Sequence, residues 1–134
     1  MLPRWSDTYF VGHPSMDTQH KELLDYAASL VSARTCEMQV LCANGLYDLA
    51  LAHFVHEEGL MRNIQYVDFD EHRGQHQQLL SRLDEIRHEI AGRRLHLNNF
   101  DTEINEWLVT HIINFDAELS AHIKALEYWG CDVD

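Results

Sequence analysis

HFVHEEGLM, residues 53–61, places two histidines and two glutamates among large apolar side chains. On a helix, residues four apart advance about 6 Å and turn almost a full circle. His53 and Glu57 therefore share one face, with Leu60 and Met61 on or beside it. Upstream, Leu46, Leu49 and Ala50 extend the same stripe, which predicts a helix from about Glu37 to Arg62. An imidazole and a carboxylate thus point where a soluble helix keeps its hydrocarbon. Glu58 and His56 fall off that face.

The rest of the chain repeats this pattern. After Pro14, with Ser15 or Asp17 as cap, His20, Leu23, Leu24, Ala27, Leu30 and Val31 recur at helical spacing. The connector NIQYVDFDE, residues 63–71, ends in Asp68 and Glu71, spaced as a capping box. A third stripe carries Phe69, His72, His76, Leu79, Leu80, Leu83, Ile86 and Ile90. Gly92 ends it, with Arg87, Arg93 and Arg94 near the negative end of the helix dipole. Asn98 or Asn99 opens a fourth helix, with Asp101, Glu103 and Glu106 in its first turns. Its stripe is Ile104, Trp107, Leu108, His111, Ile112, Phe115, Leu119, Ile123 and Leu126. Residues 1–16 read as an irregular arm with packing surface at Trp5, Tyr9, Phe10 and Val11. The expectation is an all-α, up-down-up-down four-helix bundle with an irregular N-terminal arm, one domain over residues 1–134.

Bulk properties agree. A chain of 134 residues suits a single core, and 2 prolines and 6 glycines favour long helices. A net charge of −12 argues against nucleic acid or an anionic membrane as partner and leaves carboxylates for a cation. No apolar run approaches the ~20 residues of a membrane span, and MLPRWSDTYF lacks the apolar segment of a secretion signal. Three cysteines, Cys36, Cys42 and Cys131, form no CxxC motif, so a reduced, cytoplasmic setting is expected.

Each stripe contains residues foreign to a hydrocarbon core: His20 on the first, His53 and Glu57 on the second, His72 and His76 on the third, His111 on the fourth, with Asp116 five residues on. Burying so many titratable groups without partners would cost several kcal/mol each, more than the roughly 5–15 kcal/mol stability of a domain can absorb. Bound cations remove that cost. Pairs at i,i+4 can converge on one ion. His111 and Asp116 overshoot a regular turn, so either Asp116 reaches sideways to a second ion or the helix is widened, as in a π-bulge. Any one of these motifs alone is weak evidence; all four helices offering ligands at one level is the stronger observation. His13, His56, His88, His96 and His122 read as structural or surface residues. Glu85 and His88 make one ExxH, but a ferritin-like di-iron site needs two.

These residues resemble the hemerythrins, and most closely the bacterial hemerythrin domains. The resemblance spans nearly the whole chain: Trp5, Tyr9, Gly12, Asp17 and His20 in the arm and first helix, then HFxxEExLM at His53 to Met61, HxxxH at His72 and His76, and HxxxxD at His111 to Asp116. Tyr66–Val67 departs from the family's frequent Tyr–Pro. The resemblance implies two non-heme iron ions joined by an oxo or hydroxo bridge. One would be held by His72, His76 and His111, the other by His20 and His53, with Glu57 and Asp116 bridging. Given two six-coordinate irons, the two-histidine iron then has one open position, and the family binds O2 there reversibly, as a hydroperoxide. Similarity further suggests that Leu23, Trp107, Leu108 and Ile112 wall the O2 site.

The implied function is a dioxygen carrier or store, not an enzyme, expected to be a monomer. The alternatives are an oxygen or redox sensor domain cut from a signalling protein, such as a chemotaxis receptor or cyclic-di-GMP enzyme, and a di-iron oxidase or peroxidase. The sensor reading implies a fused or interacting output domain; Trp129 and Cys131 could either pack on the bundle or begin a linker toward one.

Overall fold

The computed structural model describes residues 5–92 and 100–130. Four long helices run up and down: α1 (Pro14–Ser32), α2 (Cys36–Asn63), α3 (Phe69–Ala91) and α4 (100–128). No described helix is long and apolar enough to cross a membrane. Short links keep sequence neighbours side by side, α1 against α2 and α2 against α3, while α4 closes the bundle on α1.

The helix starts are set by local chemistry, which differs in two places from the sequence expectation. Neither Ser15 nor Asp17 caps α1. His13 occupies that position, with Nδ1 3.5 Å from the Met16 N–H, and Pro14 follows as the first helical residue. Asp17 is buried and turns back to accept the Val11 and Gly12 N–H groups at 2.8 and 3.2 Å. It binds the arm because two adjacent backbone donors outside the helix reach its carboxylate. Asp68 stands at the start of α3 but makes no side-chain capping bond, so the capping box does not form. Thr35 does cap α2, accepting from the Met38 N–H at 3.1 Å. Gly92 follows α3 as expected, its N–H bonding the His88 carbonyl. The expected cap of α4 at Asn98 or Asn99, and Arg93, Arg94, His96 and Cys131, lie outside the described residues.

The arm packs rather than dangles. Trp5 meets Tyr9 and Phe10 edge to face, and Trp5, Tyr9 and Val11 lie against the core. Ser120 on α4 donates to the Val11 carbonyl at 2.7 Å. Gly12 has φ +84°, a backbone conformation that L side chains rarely adopt, which favours glycine at this bend.

Between α2 and α3 the backbone closes a Schellman motif. The Tyr66 N–H bonds the Met61 carbonyl at 2.9 Å, the Gln65 N–H bonds Arg62 at 3.2 Å, and Gln65 sits at φ 51° where glycine is usual. This turn drops Tyr66 into the core, beneath His122.

Two apolar clusters fill the bundle. The larger holds Leu23, Leu24, Ala27, Leu30, Leu46, Phe54, Ile86, Ile104, Leu108 and Ile112; the smaller holds Met16, Leu60, Met61, Tyr66, Leu119 and Ile123. Along α1, α2 and α4, His20, Glu57 and Asp116 fall between the two, and His53 and His111 lie within the edge of the larger one, so a titratable layer forms where the two hydrocarbon clusters meet.

Candidate metal centre

Seven side chains form that layer, and all are at most 3% exposed: His20 from α1, His53 and Glu57 from α2, His72 and His76 from α3, His111 and Asp116 from α4. The i,i+4 pairs stack on one face, as their spacing predicts. The five-residue step is accommodated by widening: residues Ile112–Asp116 form a π-helical turn, and so do Asn105–Val109 just before His111. The π-turn holds one residue more than an α-turn, which keeps Asp116 on the face that carries His111.

The donor atoms fall into two overlapping groups. Glu57, His72, His76, His111 and Asp116 offer ligand atoms within 4.8 Å of one another, and so do His20, His53, Glu57 and Asp116. The two carboxylates are common to both. Glu57 Oε1 faces His76 at 3.0 Å and His72 at 3.3 Å, while its Oε2 faces His53 at 2.8 Å and His20 at 3.6 Å. Asp116 Oδ1 faces His72 at 2.9 Å and His111 at 3.1 Å, and its Oδ2 faces His20 at 2.8 Å. Each carboxylate thus turns one oxygen to each group.

Closeness here is not hydrogen bonding throughout. Glu57 Oε2, Asp116 Oδ2 and His111 Nε2 are buried without a hydrogen-bond partner, although imidazoles or carboxylates lie about 3 Å away. Such orphans are rare in a folded interior. Donor atoms gathered around a common point and misaligned with one another suit cations. Nitrogen and oxygen donors of this kind suit first-row divalent metals.

The electrostatics are those of a cluster balancing its own charge. Burial opposes the protonated form of His53, but Glu57 and Asp116 override it and push its pKa up to about 10. His72 is likewise disfavoured by burial as a cation, yet Asp116 and Glu57 raise it to about 9. His20 moves up against its burial through Asp116 and Glu57. Burial and their mutual repulsion would raise the carboxyls, but the surrounding histidines, chiefly His53 for Glu57 and His111 for Asp116, hold both well below the usual range. Without metal, protons on imidazoles supply the positive charge that the carboxylates require.

Aromatic rings fix the imidazoles. Phe54 stacks on His76 at 4.0 Å, and Phe115 stacks on His111 at 5.4 Å. Leu23, Leu108 and Ile112 are buried in the larger apolar cluster, against which half-buried Trp107 packs. Trp107 also lines a cavity of about 500 Å³ between α3 and α4, with Leu79, Arg82, His111 and Phe115.

Two polar contacts behind the histidines were not evident from the sequence. Gln19 Oε1 accepts from Nδ1 of His53, and Glu58 Oε2 accepts from Nδ1 of His76 at 2.9 Å. The only signal for them is indirect: a ligating histidine generally needs a partner for its other nitrogen. The remaining described histidines stay outside the cluster. His13 and His56 share Ser15, His88 bonds the Asp84 carbonyl, and His122 is exposed beside Tyr66.

No family model matches the chain. Among curated proteins it is similar to hemerythrin subunit alpha of Lingula anatina, 25% identical over 108 residues that span 81% of this chain and 84% of that one. It is 26% identical over 113 residues to the myohemerythrin of Theromyzon tessulatum, spanning 84% of this chain and 87% of that one. The bacteriohemerythrin of Pseudomonas aeruginosa is 28% identical over 116 residues, spanning 84% and 76%. Among solved structures, the fold is similar to a wild-type hemerythrin crystal structure, with a TM-score of 0.81 at 23% identity over 90% of this chain and 97% of that one. In sequence over most of its length, and in fold, the family that this chain resembles is the hemerythrins.

Proposed function

We propose that this chain is a single-domain, non-heme di-iron protein that binds dioxygen reversibly. The observation that carries the reading is the pair of overlapping donor groups with Glu57 and Asp116 common to both. His72, His76 and His111 would hold one iron, His20 and His53 the other, with each carboxylate giving one oxygen to each ion. An oxo or hydroxo group would complete the bridge. Iron held by these residues would supply the electrons needed to capture dioxygen. The hemerythrin likeness of the relatives supports the same reading.

The protein's own contribution is placement and exclusion. Each helix delivers its ligands from a rigid element, and the buried layer where two apolar clusters meet keeps water from the centre. Leu23, Trp107, Leu108 and Ile112 would wall the dioxygen site. Unpaired thiols at Cys36 and Cys42 support a reducing, cytoplasmic setting.

The test is anaerobic iron loading followed by metal analysis, reduction and stepwise oxygen addition. Two irons per chain, an oxo-bridged di-ferric absorption band and a reversible change with one dioxygen per iron pair are expected. Absence of the band after loading would overturn the di-iron reading. Irreversible oxidation at the first addition would favour a redox sensor or an oxidase.

A further inference from the structure

Five imidazoles face the centre, but their outer nitrogens differ. Nδ1 of His20, His72 and His111 is buried without a hydrogen-bond partner among the described residues. Nδ1 of His53 donates to the neutral amide of Gln19. Nδ1 of His76 donates to the carboxylate of Glu58. Each of the two donor groups therefore has one anchored imidazole, and the anchors differ in charge. The carboxylate anchor is itself braced, with Arg73 Nε at 3.6 Å and Arg62 at 3.9 Å from Glu58 Oε1. Glu58 is 14% exposed while both arginines stand in solvent, so this brace links the core to the surface.

The chemistry of the two anchors is unequal. A hydrogen bond to an anion draws the Nδ1 proton outward and leaves Nε2 a stronger donor; an amide oxygen does so more weakly. A stronger donor stabilises the higher oxidation state of the metal it binds. We infer that Glu58 and Gln19 are positioning residues that make the halves of the centre electronically unequal: Glu58, through His76, favours the ferric state on the three-histidine side, while Gln19, through His53, leaves the two-histidine side easier to reduce. This inference rests on the di-iron reading above. Its consequence is that the position open to dioxygen belongs to the more readily ferrous iron.

The experiment is a reciprocal exchange in the iron-loaded chain, Glu58→Gln and Gln19→Glu, followed by potentiometric titration. The midpoint potential should rise in the first variant and fall in the second, with two irons retained in both. A purely structural role would not reverse sign between them. Shifts of the same sign, or none, in variants that carry two irons would overturn the inference while leaving the di-iron reading intact. A wild-type chain that takes up fewer than two irons would overturn that reading and the inference with it. A second measurement holds if a variant loads iron poorly: cobalt(II) titration of the metal-free chain. Glu58→Gln should weaken binding on the three-histidine side by about 10–100-fold, and unchanged affinity would again count against the role of Glu58.

Discussion

Replacing Glu57 by alanine removes the group on which the centre depends most. Its two oxygens lie 2.8–3.6 Å from four imidazole nitrogens, and the side chain has no exposure to solvent. In the metal-free protein this leaves histidines that hold protons because of Glu57 facing Asp116 alone. Breaking a buried ion pair from one side costs about 3–5 kcal/mol. With a urea dependence of about 2 kcal/mol per M for a domain of this size, the unfolding midpoint should fall by about 2 M. The metal adds a second effect. At one hundred times its dissociation constant a ligand stabilises the fold by about 2.7 kcal/mol, and a variant that cannot bridge two ions should lose most of that increment. The gap between wild type and variant should therefore be larger with iron than without, and iron content should fall below two per chain. Urea melts of both proteins, with and without iron, together with metal analysis, check this. A Glu57→Ala chain that binds two irons and gains as much from them as the wild type would refute the bridging role.

Stability should depend on pH with opposite sense in the metal-free and loaded protein. Folded His53 and His72 have pKa values raised to about 10 and about 9, above the unfolded value near 6.5. Their stabilising contribution is complete below about pH 6.5 and is lost as pH rises through 9 to 10. Metal-free protein should thus weaken between pH 7 and 10, whereas iron, which needs unprotonated nitrogens, should bind more tightly over the same range; urea melts at both ends of the range read the two slopes, and parallel slopes would contradict the charge-balance account. Gln65→Gly should raise the melting temperature by about 2–4 °C, because a side chain at φ 51° costs about 1 kcal/mol relative to glycine. A fall in melting temperature would show that Gln65 makes a compensating contact.

The bundle was legible because each helix announces its buried face through spacing, and the buried polar cluster was legible because seven polar residues sit on those faces. Glu57 could be distinguished from Glu58 by the stripe, since adjacent helical residues point about 100° apart. What the stripe could not convey is that Glu58, turned off the face, still reaches His76 around the side. That contact depends on a rotamer and on the proximity of α3, neither of which is written in local spacing. The same holds for Gln19 behind His53. The cap assignments at Asp17 and Asp68 erred for a related reason. A carboxylate near a helix start has several backbone donors within reach, and the arm, not the helix, provides those that Asp17 takes. The two alternatives for Asp116 were equally open in sequence, and the structure combines them: the turn is widened, and the carboxylate also faces both donor groups.

That widened turn also acts as a phase correction. A residue added to a regular helix rotates everything after it by about 100°. The turn at Ile112–Asp116 absorbs such a residue, and Leu119 and Ile123 beyond it come back to the core. Deleting the exposed Asn114 would restore an ordinary four-residue step between the histidine and the aspartate. Because the turn already absorbs the surplus residue, the same deletion would close it into a regular α-turn and leave Leu119 and Ile123 on the core face with Met16 and Met61. One surplus residue is therefore confined to a single turn, where it sets the local aim of one carboxylate without disturbing the seating of the last three turns of the bundle.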